Sequence, residues 1–430
     1  NISKDSSFFN KKLHRQLQAL LNNDNPNRND YNSTQLELEL TDHFFDYAQY
    51  AYAGRVDPEK LQWYIPRRKI NATALLDSLI QRNGNKLDEW EPVNEQYRMV
   101  RKQLVRLYDI QKKGGWPLIE AGKKALWQGD SSLVIGPLKE RLFLAGDFHS
   151  DDRSNVFTPE LETAVQQAQH RFGLTPDGVV GPRTLNELNK PVEKRIEQLL
   201  VNMERMRWMP AQGKGLRLVV NIPEFRLHVY NGKNEQFQMR IVVGRAANKT
   251  VVFSDELKYI VFSPYWNVPA SIVRNEILPA MRRNEGYLAR HNMEQTGTHG
   301  GLPVIRQKPG SNNALGRVKF LFPNSFNIYF HDTPAKLLFK QQQRAFSHGC
   351  IRLAEPMNLA SFLLKDNRSW TDKRISKAMY AGRETWVTLE KPVPVEITYF
   401  TAWIDRDGLL NFREDIYGHD EELAGRLFQN

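Results

Sequence analysis

At Leu216 the apolar residues of this chain change their repeat, and that change divides what it can fold into. Upstream they recur every three or four positions, the spacing of one helix face. Leu13, Leu17, Leu20 and Leu21 show it, as do residues 34–53, which Gly54 stops. A further helix runs from Pro92 to Lys113 through Tyr97, Val100, Leu104 and Leu107, and another over 191–207 through Ile196, Leu199, Met203 and Met206. From Leu216 onward the pattern is strand-like: 216–222, 225–230, 237–243, 251–253 and 259–262, with Asn231-Gly232 as a hairpin turn. Hairpin closure, rather than helical crossovers, implies a β-rich and mainly antiparallel sandwich. The expected fold class is therefore multidomain α+β, a helical part followed by a β-rich domain.

At 430 residues the chain has material for two or more cores. Its net charge of +11 is scattered: the tightest clusters, Arg67-Arg68-Lys69 and Lys123-Lys124, are short. With no nucleic-acid motif beside them they read as a solvated basic surface, and no nucleic-acid partner is expected. No apolar run reaches the length of a membrane span. The start, Asn1-Ile2-Ser3-Lys4-Asp5, lacks both Met and the order of a signal peptide, which suggests a trimmed form whose export signal or anchor has been removed. The single cysteine excludes an internal disulfide.

Residues 1–130 read as a helical scaffold. The aromatic stripe Phe44, Phe45, Tyr47, Tyr50 and Tyr52 is expected to pack in a core, and Asp42-His43 has no further metal ligands at useful spacing. Residues 131–190 form a distinct three-helix pattern. Pro137–Leu142 opens a short helix, Thr158-Pro159-Glu160 caps a longer one, and the turns Asp177-Gly178 and Gly181-Pro182 lead to a last helix at 183–188. Residues 191–212 connect to the β-rich domain, 213–391, and 392–430 add strands packing on that domain or on the scaffold. An insertion at about 267–315, with a helix over 271–283 and a Gly, Asn, Thr and His-rich loop, has the placement of a lid. His291, Glu294 and His299 within it match no metal motif, so no metal and no cofactor are expected.

The chemistry concentrates at Ser347-His348-Gly349-Cys350-Ile351-Arg352. A thiol needs a base, and an acyl-transfer intermediate needs preorganised N–H donors. Gly349 permits backbone angles that let N–H groups near Cys350 converge. Two histidines could serve as base: His348, two positions away, and His331, nineteen positions upstream at the end of the apolar run 326–330. Asp332 is an unsuitable orienting partner for His331, because neighbouring strand residues face opposite ways.

His331, fifteen intervening residues and then Ser-His-Gly-Cys, an apolar residue and Arg resemble the signature of the L,D-transpeptidase (YkuD-type) catalytic domain. Asn221–Leu227, Val243-Gly244-Arg245 and His331-Asp332-Thr333-Pro334 fit the same family, and 131–190 resembles its peptidoglycan-binding module. Most of the chain is similar to the large periplasmic members with a scaffold. The resemblance implies Cys350 as nucleophile, His331 as base with a main-chain carbonyl orienting it, and the turn at His348 and Gly349 in the oxyanion site. Arg352, Tyr329 and Ser347 would then hold substrate or line the pocket. It also implies a periplasmic enzyme, membrane-anchored or not, that joins a tetrapeptide stem to an acceptor amine in a 3→3 cross-link with release of D-alanine. Its partners would be donor and acceptor stems, carbapenem-type β-lactams as inhibitors, and other cell-wall synthesis proteins. An L,D-carboxypeptidase, a lipoprotein-anchoring enzyme, a cross-link hydrolase or an inactive wall-binding scaffold would carry similar sequence. A papain-type peptidase would not, since there the histidine follows the cysteine.

Overall fold

The computed structural model describes residues 10–21, 30–65, 69–85, 93–120, 125–150, 152–209 and 215–428. The turn expected at 22–27, the helix start at Pro92, Arg67-Arg68 and Lys123-Lys124 lie outside these residues. The chain divides into two compact units, one of Asn1–Leu61, Ile65–Gln212 and Thr401–Asn430, the other of Gln62–Tyr64 and Gly213–Phe400. No helix among the described residues is long and apolar enough to cross a membrane.

The first unit is helical: α1 (Lys11–Leu21), α2 (Asp30–Ala53), α3 (Ala72–Gln81), α4 (Glu95–Lys112), α5 (Ile135–Ala145), α6 (Pro159–Arg171), α7 (Pro182–Leu188) and α8 (Val192–Trp208). The expected connector, α8, is its core. Beyond Ile196, Leu199, Met203 and Met206, its polar Arg195, Asn202, Glu204 and Arg205 are also buried. Glu204 accepts the Val56 N–H at 2.8 Å and pairs with Arg207, while Arg205 meets Asp420 at 2.5 Å. Of the aromatic stripe on α2, Tyr52 is buried with Phe44 packed against its cluster, whereas Tyr47 is exposed. In the three-helix segment the Thr158 side chain caps α6 as expected. Buried Gln169 does what no spacing revealed: its amide donates to Asp177 Oδ1 and the Val179 carbonyl and accepts the Gly178 N–H, clamping the turn.

The second unit holds strands β1 (Leu216–Asn221), β2 (Arg226–Asn231), β3 (Asn234–Gly244), β4 (Ser254–Phe262), β5 (Trp266–Asn267), β6 (Met293–His299), β7 (Leu302–Gln307), β8 (Val318–Leu321), β9 (Phe330–His331), β10 (Ala345–Ser347), β11 (Ile351–Leu353) and β12 (Thr385–Thr398). They form a nine-stranded, mainly antiparallel sheet in the order β10-β3-β11-β9-β8-β4-β12-β1-β2. The long β3 makes it continuous: its first half pairs with β2 and its last residues with β11 and β10, so the pairings run round a closed ring. Closure removes most free edges. The inner residues, among them Leu218, Val220, Leu227, Ile241, Ile260, Phe320 and Phe330, are fully buried. The strand expected at 251–253 begins only at Ser254, and the polypeptide from Thr401 leaves for the helical unit, where β13 (Ala402–Ile404) and β14 (Leu410–Phe412) form a hairpin.

The insertion is more ordered than its composition implied. The expected loop is the β6–β7 hairpin, joined by β5 into a separate three-stranded sheet. Glu294 and Arg306, directly opposite, form an ion pair at 2.5 Å that suits an exposed hairpin. Val268, Val273, Ile277 and Ile305 give this sheet a core of its own. The expected helix contains a π turn, Val273–Ile277, just before Pro279. Proline has no N–H for the regular ladder, which favours such a widened turn.

Candidate active site

The site lies where β9 and β11 run side by side in parallel. Arg352 is opposite His331 and Ile351 opposite Phe330, and the Ile351 N–H donates to the Tyr329 carbonyl at 3.1 Å. Cys350 therefore sits opposite Tyr329. Side chains two positions apart on a strand share a face. This register thus collects Cys350, Arg352, Tyr329 and His331 on one face from two neighbouring strands.

His331 is buried, and its Nδ1 lies 2.5 Å from the main-chain carbonyl of Asp332. A carbonyl only accepts, so Nδ1 carries the proton and Nε2 is left with its lone pair. Burial, and then the nearby Arg352 cation, pull the imidazole pKa down to about 3, so the ring is neutral at physiological pH. The Asp332 carboxylate works elsewhere, accepting the Arg317 N–H at 2.8 Å and pairing with Lys336 at 2.6 Å.

Burial also raises the Cys350 pKa, against hydrogen bonds from Tyr329 and the charge of Arg352, which lower it. The resting pair is thus thiol and neutral imidazole, not thiolate and imidazolium. The thiol donates to the Asn327 carbonyl at 3.5 Å. Asn327 has a positive φ of 56°, which interrupts the apolar run 326–330 and leaves only Phe330–His331 paired as a strand. The break is what turns that carbonyl to the sulfur. Tyr329, mostly buried, has its phenol pKa pushed up by burial and by Cys350.

The turn before Cys350 is held by hydroxyls. Ser347, buried beneath it, donates to the Cys350 carbonyl at 2.6 Å and accepts the Gly349 N–H at 3.1 Å. That corrects the expected convergence of N–H groups: the Gly349 N–H is engaged inside the turn, and Gly349 contributes its φ of 117° instead. Among the described residues the Cys350 N–H has no protein acceptor. Ser347 is likewise committed to main chain rather than facing a pocket. Thr250, which carried no sequence signal, donates to the Gly349 carbonyl at 2.8 Å and accepts the Gly244 N–H at 2.9 Å.

His348 is partly exposed. Its Nε2 lies 3.0 Å from Glu276 in the π turn of the insertion and 3.4 Å from Arg245 Nη2. Its bonds are thus to the insertion and to the end of β3. Glu276 escaped notice because nothing in sequence ties position 276 to 348. The Arg352 Nε is buried without a protein partner among the described residues. Those residues hold no cluster of metal-ligand type; Glu294 is taken by Arg306 and Lys308, and His291 by the Tyr287 carbonyl.

Residues 215–389 match the family model of the L,D-transpeptidase catalytic domain. Residues 3–104 match the model described as a scaffold domain and 137–188 that described as "Putative peptidoglycan binding domain". A Haemophilus influenzae protein named "Putative L,D-transpeptidase" is 31% identical over 242 residues, 53% of this chain and 49% of its own. The chain thus spans about half the length of that curated relative. Among solved structures, an L,D-transpeptidase of Stackebrandtia nassauensis is 14% identical, with 63% of this chain and 93% of that one covered at a TM-score of 0.26. For L,D-transpeptidase 3 of Mycobacterium tuberculosis with a faropenem-derived adduct the figures are 15%, 44%, 62% and 0.23. The matched segment, 215–389, includes every residue assigned to the site.

Proposed function

We propose that this protein is a peptidoglycan L,D-transpeptidase working through a Cys350 thioester. The observation that carries the reading is the β9–β11 register, which sets thiol and imidazole on one face with Nδ1 already bonded. As sulfur attacks the carbonyl of the third stem residue, the thiol proton passes to His331 Nε2. The Cys350 N–H is the main-chain donor for the resulting oxyanion. Collapse breaks the peptide bond to D-alanine, whose amine takes the proton from His331, and leaves a thioester. An acceptor amine then attacks, its proton returns through His331, and sulfur leaves as the thiol with a 3→3 cross-link formed. Arg352, partly exposed on the same face as Cys350 and His331, suits a stem carboxylate.

The remaining parts of the reading follow from this chemistry. A β-lactam is a strained acyl donor that the same thiol opens, so carbapenems acylate Cys350. The substrate is cell-wall polymer, which places the protein in the periplasm, among other cell-wall synthesis proteins. The deciding experiment incubates the protein and a Cys350→Ala variant with tetrapeptide muropeptides and reads the products by mass. Dimers from the unmodified protein alone support transpeptidation. Trimmed monomers alone replace it with an L,D-carboxypeptidase, and no product from either sinks the enzyme reading.

A further inference from the structure

One aromatic ring close to the Cys350 loop comes from outside the matched catalytic segment, 215–389. Gln62–Tyr64 belongs to the β-rich unit, although the chain on either side of it does not. Two contacts tie it there. The Tyr64 N–H donates to the Val252 carbonyl at 2.9 Å, making Tyr64 a parallel bridge partner of Phe253. Buried Trp63 meets buried Tyr399 edge-on, with ring centres 6.2 Å apart. The Tyr64 ring itself stays half exposed and lies against Phe326, centre to centre at 4.7 Å. Phe326 packs in turn on buried Phe253 at 5.0 Å.

Phe326 immediately precedes Asn327, whose carbonyl accepts the Cys350 thiol. Asn327 has left-handed backbone angles, which an L-residue keeps only where its surroundings impose them. Asn324 imposes part of the shape. Its Oδ1 accepts the N–H groups of Phe326 and Ile328, at 3.0 and 3.2 Å, and its Nδ2 donates to the Ile328 carbonyl at 2.8 Å. These bonds fix the loop internally. The Phe326 ring, packed on Phe253 and Tyr64, fixes its stance toward the sheet.

The same stretch surrounds the sulfur. Tyr329, two positions after Asn327, bonds to it through both its main chain and its hydroxyl. A shift of residues 326–329 would therefore move the acceptor of the thiol proton and the donors to sulfur together. Close packing passes such a shift on rather than absorbing it.

We propose that Tyr64 is a positioning residue for Cys350. Through Phe326 it holds the Asn327 carbonyl where the thiol proton meets it, and so keeps the sulfur in one orientation on the face shared with His331. The inference rests on the thiol chemistry proposed above. It adds to the site a residue that lies in the segment matched as a scaffold, 3–104, rather than in the catalytic one.

The single cysteine gives a direct reading, because the infrared S–H stretching band of the full chain belongs to Cys350 alone. A hydrogen-bonded S–H absorbs at lower frequency than a free one. Tyr64→Ala is expected to move the band to higher frequency, and Tyr64→Phe, which keeps the ring, to leave it in place. Phe326→Leu should move it as Tyr64→Ala does, and keeps the proposal testable should Tyr64→Ala fail to fold. The saturating rate of Cys350 acylation by a carbapenem should fall about tenfold in Tyr64→Ala, short of the ~100-fold that a displacement of ~1 Å can cost. The half-saturating concentration should not change. The band is read without turnover, so a chain that acylates nothing still tests the contact, and failure of the enzyme reading is told apart from failure of this one. A band unmoved in both Tyr64→Ala and Phe326→Leu overturns the proposal, as does an equal shift in Tyr64→Phe. A moved band with acylation at the wild-type rate also overturns it, and a raised half-saturating concentration with an unmoved band would make Tyr64 a ligand contact instead.

Discussion

His331 Nδ1 and the main-chain carbonyl of Asp332 stand 2.5 Å apart, and this contact fixes which ring nitrogen can act as a base. The orienting group belongs to the neighbouring residue, yet to its backbone. Removing the Asp332 carboxylate should therefore leave the chemistry alone. His331→Asn is expected to lower Cys350 acylation by a carbapenem by about 10²–10⁴-fold, the usual span for a general base. Asp332→Asn should stay within about twofold in rate, its cost falling on stability instead, because the buried carboxylate pairs with Lys336 and accepts the Arg317 N–H. Acylation rates by mass spectrometry decide; a loss in Asp332→Asn matching that of His331→Asn would make the carboxylate a true member of the site.

Two neighbours hold the thiol pKa below where burial alone would set it. The Tyr329 hydroxyl bonds to the sulfur and Arg352 favours its charge, so Tyr329→Phe and Arg352→Gln should each raise the thiol pKa. Arg352→Gln should also raise that of His331, which the cation now depresses. The pH dependence of iodoacetamide alkylation reads the first, and the His331 ring resonances by NMR the second. Midpoints moving to lower pH would show that these contacts act otherwise.

Thr250 bridges two main-chain groups beneath the turn, and valine would fill its volume while removing its bonds to the Gly349 carbonyl and the Gly244 N–H. Thr250→Val should cost about 2–4 kcal/mol in chemical denaturation and speed alkylation of Cys350 by loosening its turn. Gly244→Ala should do more harm, because a Cβ there would stand 2.1 Å from the Asn248 carbonyl oxygen. Rates and midpoints at wild-type level would mean that the turn is held without this bridge.

Two histidines of the β-rich unit, His331 buried and His228 mostly so, should shape its stability in opposite directions of pH. His228 has Glu235 at 2.8 Å from Nδ1 and Glu224 at 3.0 Å from Nε2; burial would lower its pKa, but the two carboxylates outweigh that and raise it to about 9. Its contribution is complete below the unfolded value, about 6.5, and is lost as pH rises toward about 9. His331, lowered to about 3, contributes fully above the unfolded value and loses that contribution as pH falls toward about 3. Thermal melts across pH should show His228→Gln flattening the alkaline limb and His331→Asn the acid limb. The same limb flattened by both variants would refute the assignment.

Much of this could be read from local pattern. The period switch at Leu216, the capped helices of the three-helix segment and the spacing of His331 from Ser347-His348-Gly349-Cys350 are short-range facts. Each rests on helix or strand periodicity, or on the conformations a turn residue allows. The Asp332 carboxylate could be set aside from strand geometry alone, and its bonds to Arg317 and Lys336 agree. The β6–β7 hairpin was missed because β6 is exposed along most of its length and so shows no alternation. The π turn, the positive φ at Asn327 and the buried core role of α8 had no local signature either.

The sequence by itself determined the residue types at the site and the segments that would carry them, since these depend on neighbours within a few positions. Tertiary structure alone decided how they meet. Only the β9–β11 register brings Cys350, Arg352, Tyr329 and His331 to one face, and only the path of the chain brings Thr250 under Gly349 and Glu276 beside His348. Strand pairing and close packing join residues tens of positions apart, and that choice is made by the whole core rather than by any local pattern.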